Sequence, residues 1–184
     1  MKKLLLFAIA AVFSYTVAAK EANPPQKTDN RKIEAKKVDS LAHQTAQMCI
    51  EQHNWVLEVN EISYTGSIAV SVPTNVNYLS VNGVDVVLQT SSDDGDNSYN
   101  GLGGVTVNGT INSDKQHFEK DGTLVYEFHV LGVSLQATVT VSLEPNNNYA
   151  SAYVDFDTGP DSMTLYGNIY RGTTSNEVEG ESQY

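Results

Sequence analysis

The most constraining feature of this chain is residues 133–143. There Val133, Leu135, Ala137, Val139, Val141 and Leu143 alternate without a break with Ser134, Gln136, Thr138, Thr140 and Ser142. A two-residue apolar period places one side of an extended strand in a core and the other in water, and no helix satisfies it. The pattern recurs at Trp55, Leu57 and Val59, at Ile68, Val70 and Val72, and at Leu124, Tyr126, Phe128 and Val130. Asn82-Gly83, between apolar runs at 79–81 and 84–88, predicts a two-residue type I′ turn, and Asn108-Gly109 predicts another. Residues 150–156 and 163–170 predict a last hairpin, turned at 157–161.

Only one stretch of the mature chain has a helical period. Ile33, Val38, Leu41, Ala42, Thr45, Met48 and Cys49 fall near three-and-four spacing over residues 30–52, with Asp29 or Asn30 available as the cap. Met48 and Cys49 are expected to press on the sheet as core residues. One helix cannot supply the crossovers of a parallel sheet. The fold is therefore predicted to be mainly β: an antiparallel meander of about nine strands, forming a curled sandwich or a barrel, with one N-terminal α-helix packed on it. Both closures alternate with period two, so both stay open.

The N-terminus reads as an address. Lys2 and Lys3 precede an apolar run at 4–12, and Val17-Ala18-Ala19 supplies small residues for a cut, so residues 1–19 predict a signal peptide cleaved near Ala19. The expected product is periplasmic or secreted. Lys20 stands where a lipoprotein needs cysteine, and the only cysteine is Cys49, so neither lipid attachment nor an internal disulfide is expected. No other stretch approaches about 18 apolar residues, which argues against stable membrane insertion. Residues 20–29, with Pro24-Pro25, predict a linker, and residues 172–184, nearly without apolar content, a disordered tail. That leaves 30–171 as a single β domain.

Charge is unevenly distributed. The net charge is -11, yet residues 20–37 hold six basic and three acidic side chains, and from Val38 onward only Lys115, Lys120 and Arg171 face 19 acids. So negative a body repels phosphate backbones, and nucleic acid is not an expected partner. The basic leader is either solvated or a contact for anionic headgroups or for the acidic body of a neighbour.

The catalytic motifs are each incomplete. Asp157-Thr158-Gly159 matches an aspartic-protease triplet, but that chemistry needs two aspartates sharing a proton, and the residues suit a turn. Asp93, Asp94 and Asp96 in the loop 91–101 are oxygen ligands suited to calcium, although the place of the twelfth-position Glu holds Gly104 and a solvated loop explains them as well. His43, His53, His117 and His129 lack zinc-ligand spacing, and no nucleophile elbow or phosphate loop occurs. No cofactor is expected.

The segments NWVLEVNEI, NYLSVNGVDVVL, GGVTVNGTI and LYGNIYR, spread from Asn54 to Tyr170, resemble the domain-of-unknown-function family 4251, exported proteins of Bacteroidota. Family members carry an LPYFG-like motif where this chain reads LQTSSDDGDNSYNG. The resemblance implies export and an all-β fold, and it transfers no catalytic residue. The residues themselves support two readings. The first is a non-catalytic binding or accessory protein whose partner is a small molecule, a glycan or an envelope protein. Trp55, Tyr78, Tyr126, Tyr153 and Tyr166, with Tyr64, Tyr99 and Tyr170, would be its stacking surfaces. The alternative is a glycan-directed hydrolase using Asp155 and Asp157, which period two places on one side of a strand about 6–7 Å apart.

Overall fold

The computed structural model of the protein describes residues 27–91, 104–158 and 162–172. Helix α1 (Lys27–Glu51) precedes nine strands: β1 (Asn54–Tyr64), β2 (Val70–Ser71), β3 (Tyr78–Asn82), β4 (Asp85–Ser91), β5 (Gly104–Phe118), β6 (Leu124–Leu131), β7 (Gln136–Leu143), β8 (Tyr149–Phe156) and β9 (Ser162–Arg171). All pairings are antiparallel. The order runs β1-β3-β4-β5-β6-β7-β8-β9, and β9 returns to β1 from Trp55 opposite Arg171 to Tyr64 opposite Met163. The meander is thus a closed eight-stranded barrel rather than a sandwich. β2 is an extra rung on the second half of β1, pairing Glu61 with Ser71 and Ile62 with Val70.

Closure turns the inward side of every barrel strand onto one shared interior. Eight strands leave an interior just wide enough for side chains to fill. Here Leu57, Val59, Leu79, Phe128, Val139, Val141, Val154 and Leu165 fill it, all buried in one cluster. Their outward neighbours are mostly polar (the buried Val56 is an exception), and Glu127, Thr140, Tyr153 and Thr164 form one outward row across β6–β9.

The helix differs from its sequence reading. It begins at Lys27, inside the expected linker, because a nucleated helix extends cheaply residue by residue. The buried face is Ala46, Cys49 and Ile50, whereas Ile33, Val38, Leu41 and Met48 are exposed. Met48, expected in the core, is 45% exposed. The cause is position: only the last turns of α1 cross the barrel end, so core contact is limited to the residues aimed there. His43 Nδ1 fixes this placement by donating to the Asn147 carbonyl, 3.0 Å away, in the β7–β8 turn.

Three strand readings also change. The period over Ile68, Val70 and Val72 yields only two paired residues, with Ile68 wholly outside the core. In the β3–β4 hairpin Asn82 pairs with Asp85, so the loop residues are Gly83 and Val84, one position on. Only Gly83 is left-handed (φ 64°), which a type I′ turn would require of both residues. Asn108-Gly109 is no turn: it lies within β5, where a Cβ on Gly109 would meet Val130 Cγ1 at 2.5 Å. That glycine serves close strand approach instead.

Candidate functional site

The two ends of the barrel are unlike. At one end the last turns of α1 lie over the strand termini. At the other, the inward parity of the strands delivers Tyr64, Phe156 and Met163 to a mouth that no described helix covers. Met163 pairs with Tyr64 on β1 and with the buried Val154 on β8, while Phe156 pairs with the buried Ala137. These three, with Thr65, Thr158 and Ser162, line a cleft of about 350 Å³. Met163 and Phe156 pack partly on the core, and Tyr64 is 48% exposed. Mouths of barrels are common ligand sites, since a rigid scaffold there presents side chains to solvent.

Hydroxyls organise the rim. Ser162 N donates to Thr65 Oγ1 at 2.9 Å, Thr65 N donates to the Ser162 carbonyl at 3.0 Å, and the two hydroxyl oxygens are 2.7 Å apart. This clasp prolongs the β1–β9 seam past its last strand pair and holds the cleft's wall. Beside it, His129 Nε2 donates to Asp157 Oδ2 at 2.9 Å on the outer surface. The cleft therefore offers two aromatic faces, a thioether and hydroxyls, which suits a ring with apolar faces and polar edges better than it suits proton transfer.

The residues expected to bind do not share one surface. Trp55 and Tyr126 are interior, Trp55 standing edge-on to Phe128 at 6.3 Å. The indole Nε1 of Trp55 is buried with no hydrogen-bond partner among the described residues. Tyr78 is buried on the outward side beside Gln89 and Thr106, where Gln89 Nε2 donates to the Val76 carbonyl and Thr106 Oγ1 to Gln89 Oε1. Tyr153 is exposed on the outer row, and Tyr166 is half-buried on the same side. Tyr99 and the acidic trio Asp93, Asp94 and Asp96 lie outside the described residues. Among the described residues no three His, Cys, Asp or Glu side chains gather as metal ligands. Asp155 and Asp157 are both exposed, and Asp157 is engaged by His129. Burial pushes the Cys49 thiol up, the nearby Arg171 charge opposing it, as suits a core residue. Phe156, Met163, Thr65 and Ser162 were not among the expected binding residues, and Thr158 entered only through the protease-like triplet. The available signal was the inward parity of Phe156 and Met163 on either side of the turn expected at 157–161.

No described helix is long and apolar enough to cross a membrane. No curated protein matches the chain. Among solved structures, the chain is similar to the crystal structure of a DUF4251 family protein from Bacteroides eggerthii, with 26% identity and a TM-score of 0.65, over 77% of this chain and 95% of that one. The profile described as Domain of unknown function (DUF4251) matches residues 37–169, from the middle of α1 to the end of β9, and the chain belongs to that family.

Proposed function

We propose that this protein is exported, cleaved near Ala19 and released as a periplasmic or secreted, non-catalytic binding or accessory module. We further propose that its ligand, a glycan or a small apolar ring, sits in the barrel mouth. The observation that carries the reading is the cleft itself: among the described residues, nothing covers inward-facing Tyr64, Phe156 and Met163 at the barrel end away from α1. An aromatic side chain left accessible over a rigid floor favours stacking on a flat ligand. The hydroxyls of Thr65, Thr158 and Ser162 supply polar contacts at the edge. The exposed placement of Asp155 and Asp157 on the outer side favours binding over the hydrolase alternative.

Titration of the ¹⁵N-labelled mature protein with envelope-derived oligosaccharides and with small aromatic compounds tests this. Saturable amide shifts should centre on Tyr64, Phe156 and Met163 and disappear in Tyr64→Ala. Shifts confined to the helix end, or glycan cleavage abolished by Asp155→Asn, would defeat the proposal. N-terminal sequencing of protein from a periplasmic extract tests export; an uncut Met1 or a lipid-modified form contradicts it.

A further inference from the structure

The first half of α1 stands off the barrel with no side buried: residues 31–40 are all exposed. It carries Arg31, Lys32, Lys36 and Lys37 together with exposed Ile33, Val38 and Leu41, and these four basic residues make no ion pair among the described residues. Two grooves meet at Leu41. One, of about 540 Å³, runs along the outward side past Ile33, Lys36 and Lys37. The other, of about 350 Å³, lies between Val38 and Leu41 of the helix and Ile169, Tyr170 and Arg171 at the end of β9. An isolated helical arm of this length is marginal in water, and its apolar side chains gain nothing from exposure.

We infer that residues 173–184 of this chain cover that arm, lying in the β9 groove and then along the basic side of α1. Three observations converge. The segment leaves the barrel at Gly172, directly after the Arg171 wall of the second groove. It carries Glu177, Glu179 and Glu181 and no basic residue, the complement of the four cations, with Val178 between the first two carboxylates for the apolar gap. It is long enough: twelve residues reach up to about 40 Å extended, while Leu41 back to Arg31 spans about 15 Å of helix. A membrane-surface role for the arm is less well matched, because its apolar and basic side chains are interspersed rather than segregated. Helix-to-helix pairing of two copies would set these lysines against one another.

Hydrogen exchange of the mature chain, compared with a chain ending at Gly172 and with Glu177→Gln/Glu179→Gln/Glu181→Gln, decides the matter. At low salt, amides of residues 31–41 should exchange roughly three to ten times more slowly in the intact chain than in either variant. High salt should erase the difference, and the barrel strands should exchange alike in all three. Equal exchange of the arm in all three proteins would overturn the inference. So would protection that survives the Gln variant and rises with protein concentration, which assigns the arm to a second copy. Protection that appears only with anionic vesicles would overturn it in favour of a lipid surface.

Discussion

Replacing Ile50 by alanine tests whether the last turn of α1 is part of the barrel core. Ile50 is fully buried within the main cluster beside Ala46 and Cys49. The change deletes three carbons, worth about 0.8 kcal/mol each or about 2.4 kcal/mol of transfer free energy. A site walled by strands collapses poorly, which adds up to about 2 kcal/mol of cavity cost. The better helix propensity of alanine returns about 0.4 kcal/mol. The net expectation is a loss of about 2–4 kcal/mol, or roughly 4–16 °C in Tm at about 2–4 °C per kcal/mol. The control is Met48→Ala, two residues away and 45% exposed, which should cost under about 0.5 kcal/mol. Both are read by urea unfolding of the mature protein followed by circular dichroism. If the two variants shifted the midpoint equally, the helix would be docked on the stripe that includes Met48, and Ala46, Cys49 and Ile50 would not be its anchor.

Gly167→Ala should cost about 3 kcal/mol or more and reduce soluble yield, since a Cβ there would collide with the Glu58 carbonyl opposite, on the seam beside the β1 bulge at Val59 and Glu61; a wild-type midpoint would contradict it. Trp55→Phe should cost under about 1 kcal/mol, because losing a buried, unpartnered N–H, itself a penalty of about 1–3 kcal/mol, offsets the lost area; a loss above about 3 kcal/mol would show that the indole nitrogen is satisfied. Tyr126 is pushed well above the ordinary phenol value of 10.0 by burial first, then by the charge of Asp114 and a hydrogen bond to it. The unfolded chain therefore releases this proton first, so stability should fall as pH rises above about 10. Tyr126→Phe should remove that alkaline loss, and identical pH profiles for the two proteins would refute the assignment.

The strands were legible because a barrel needs only parity, and parity is local: every residue from Leu135 to Leu143 announces its own side. Val133, read as the first inward residue, is instead 93% exposed because β7 starts only at Gln136. Closure was not legible, since pairing of Trp55 with Arg171 joins residues whose local patterns say nothing of each other. The helix misled for a different reason. Its three-and-four spacing names a stripe, but the barrel end is short, and Ala46 and Ile50 meet it while Leu41 overshoots. The tyrosines misled because strand residues of either parity include them: Tyr126 turns inward and Tyr153 outward with the same sequence chemistry. The mouth cleft needed both parity and the knowledge of which barrel end α1 occupies.

The seam between β1 and β9 sets the order in which this molecule can become itself. Each other barrel neighbour is the next strand along the chain or one short excursion away, so hairpins can form locally and within microseconds as segments become available. The seam alone must bring residues 54–64 to residues 162–171 across a loop of about a hundred residues. Its entropic cost grows only logarithmically with that length, but it falls on a single late event. Until β9 arrives, β1 and β8 both present bare edges, and a chain interrupted before Ser162 keeps them. Such fragments should associate edge to edge, whereas the complete chain has a partner for each barrel edge within itself.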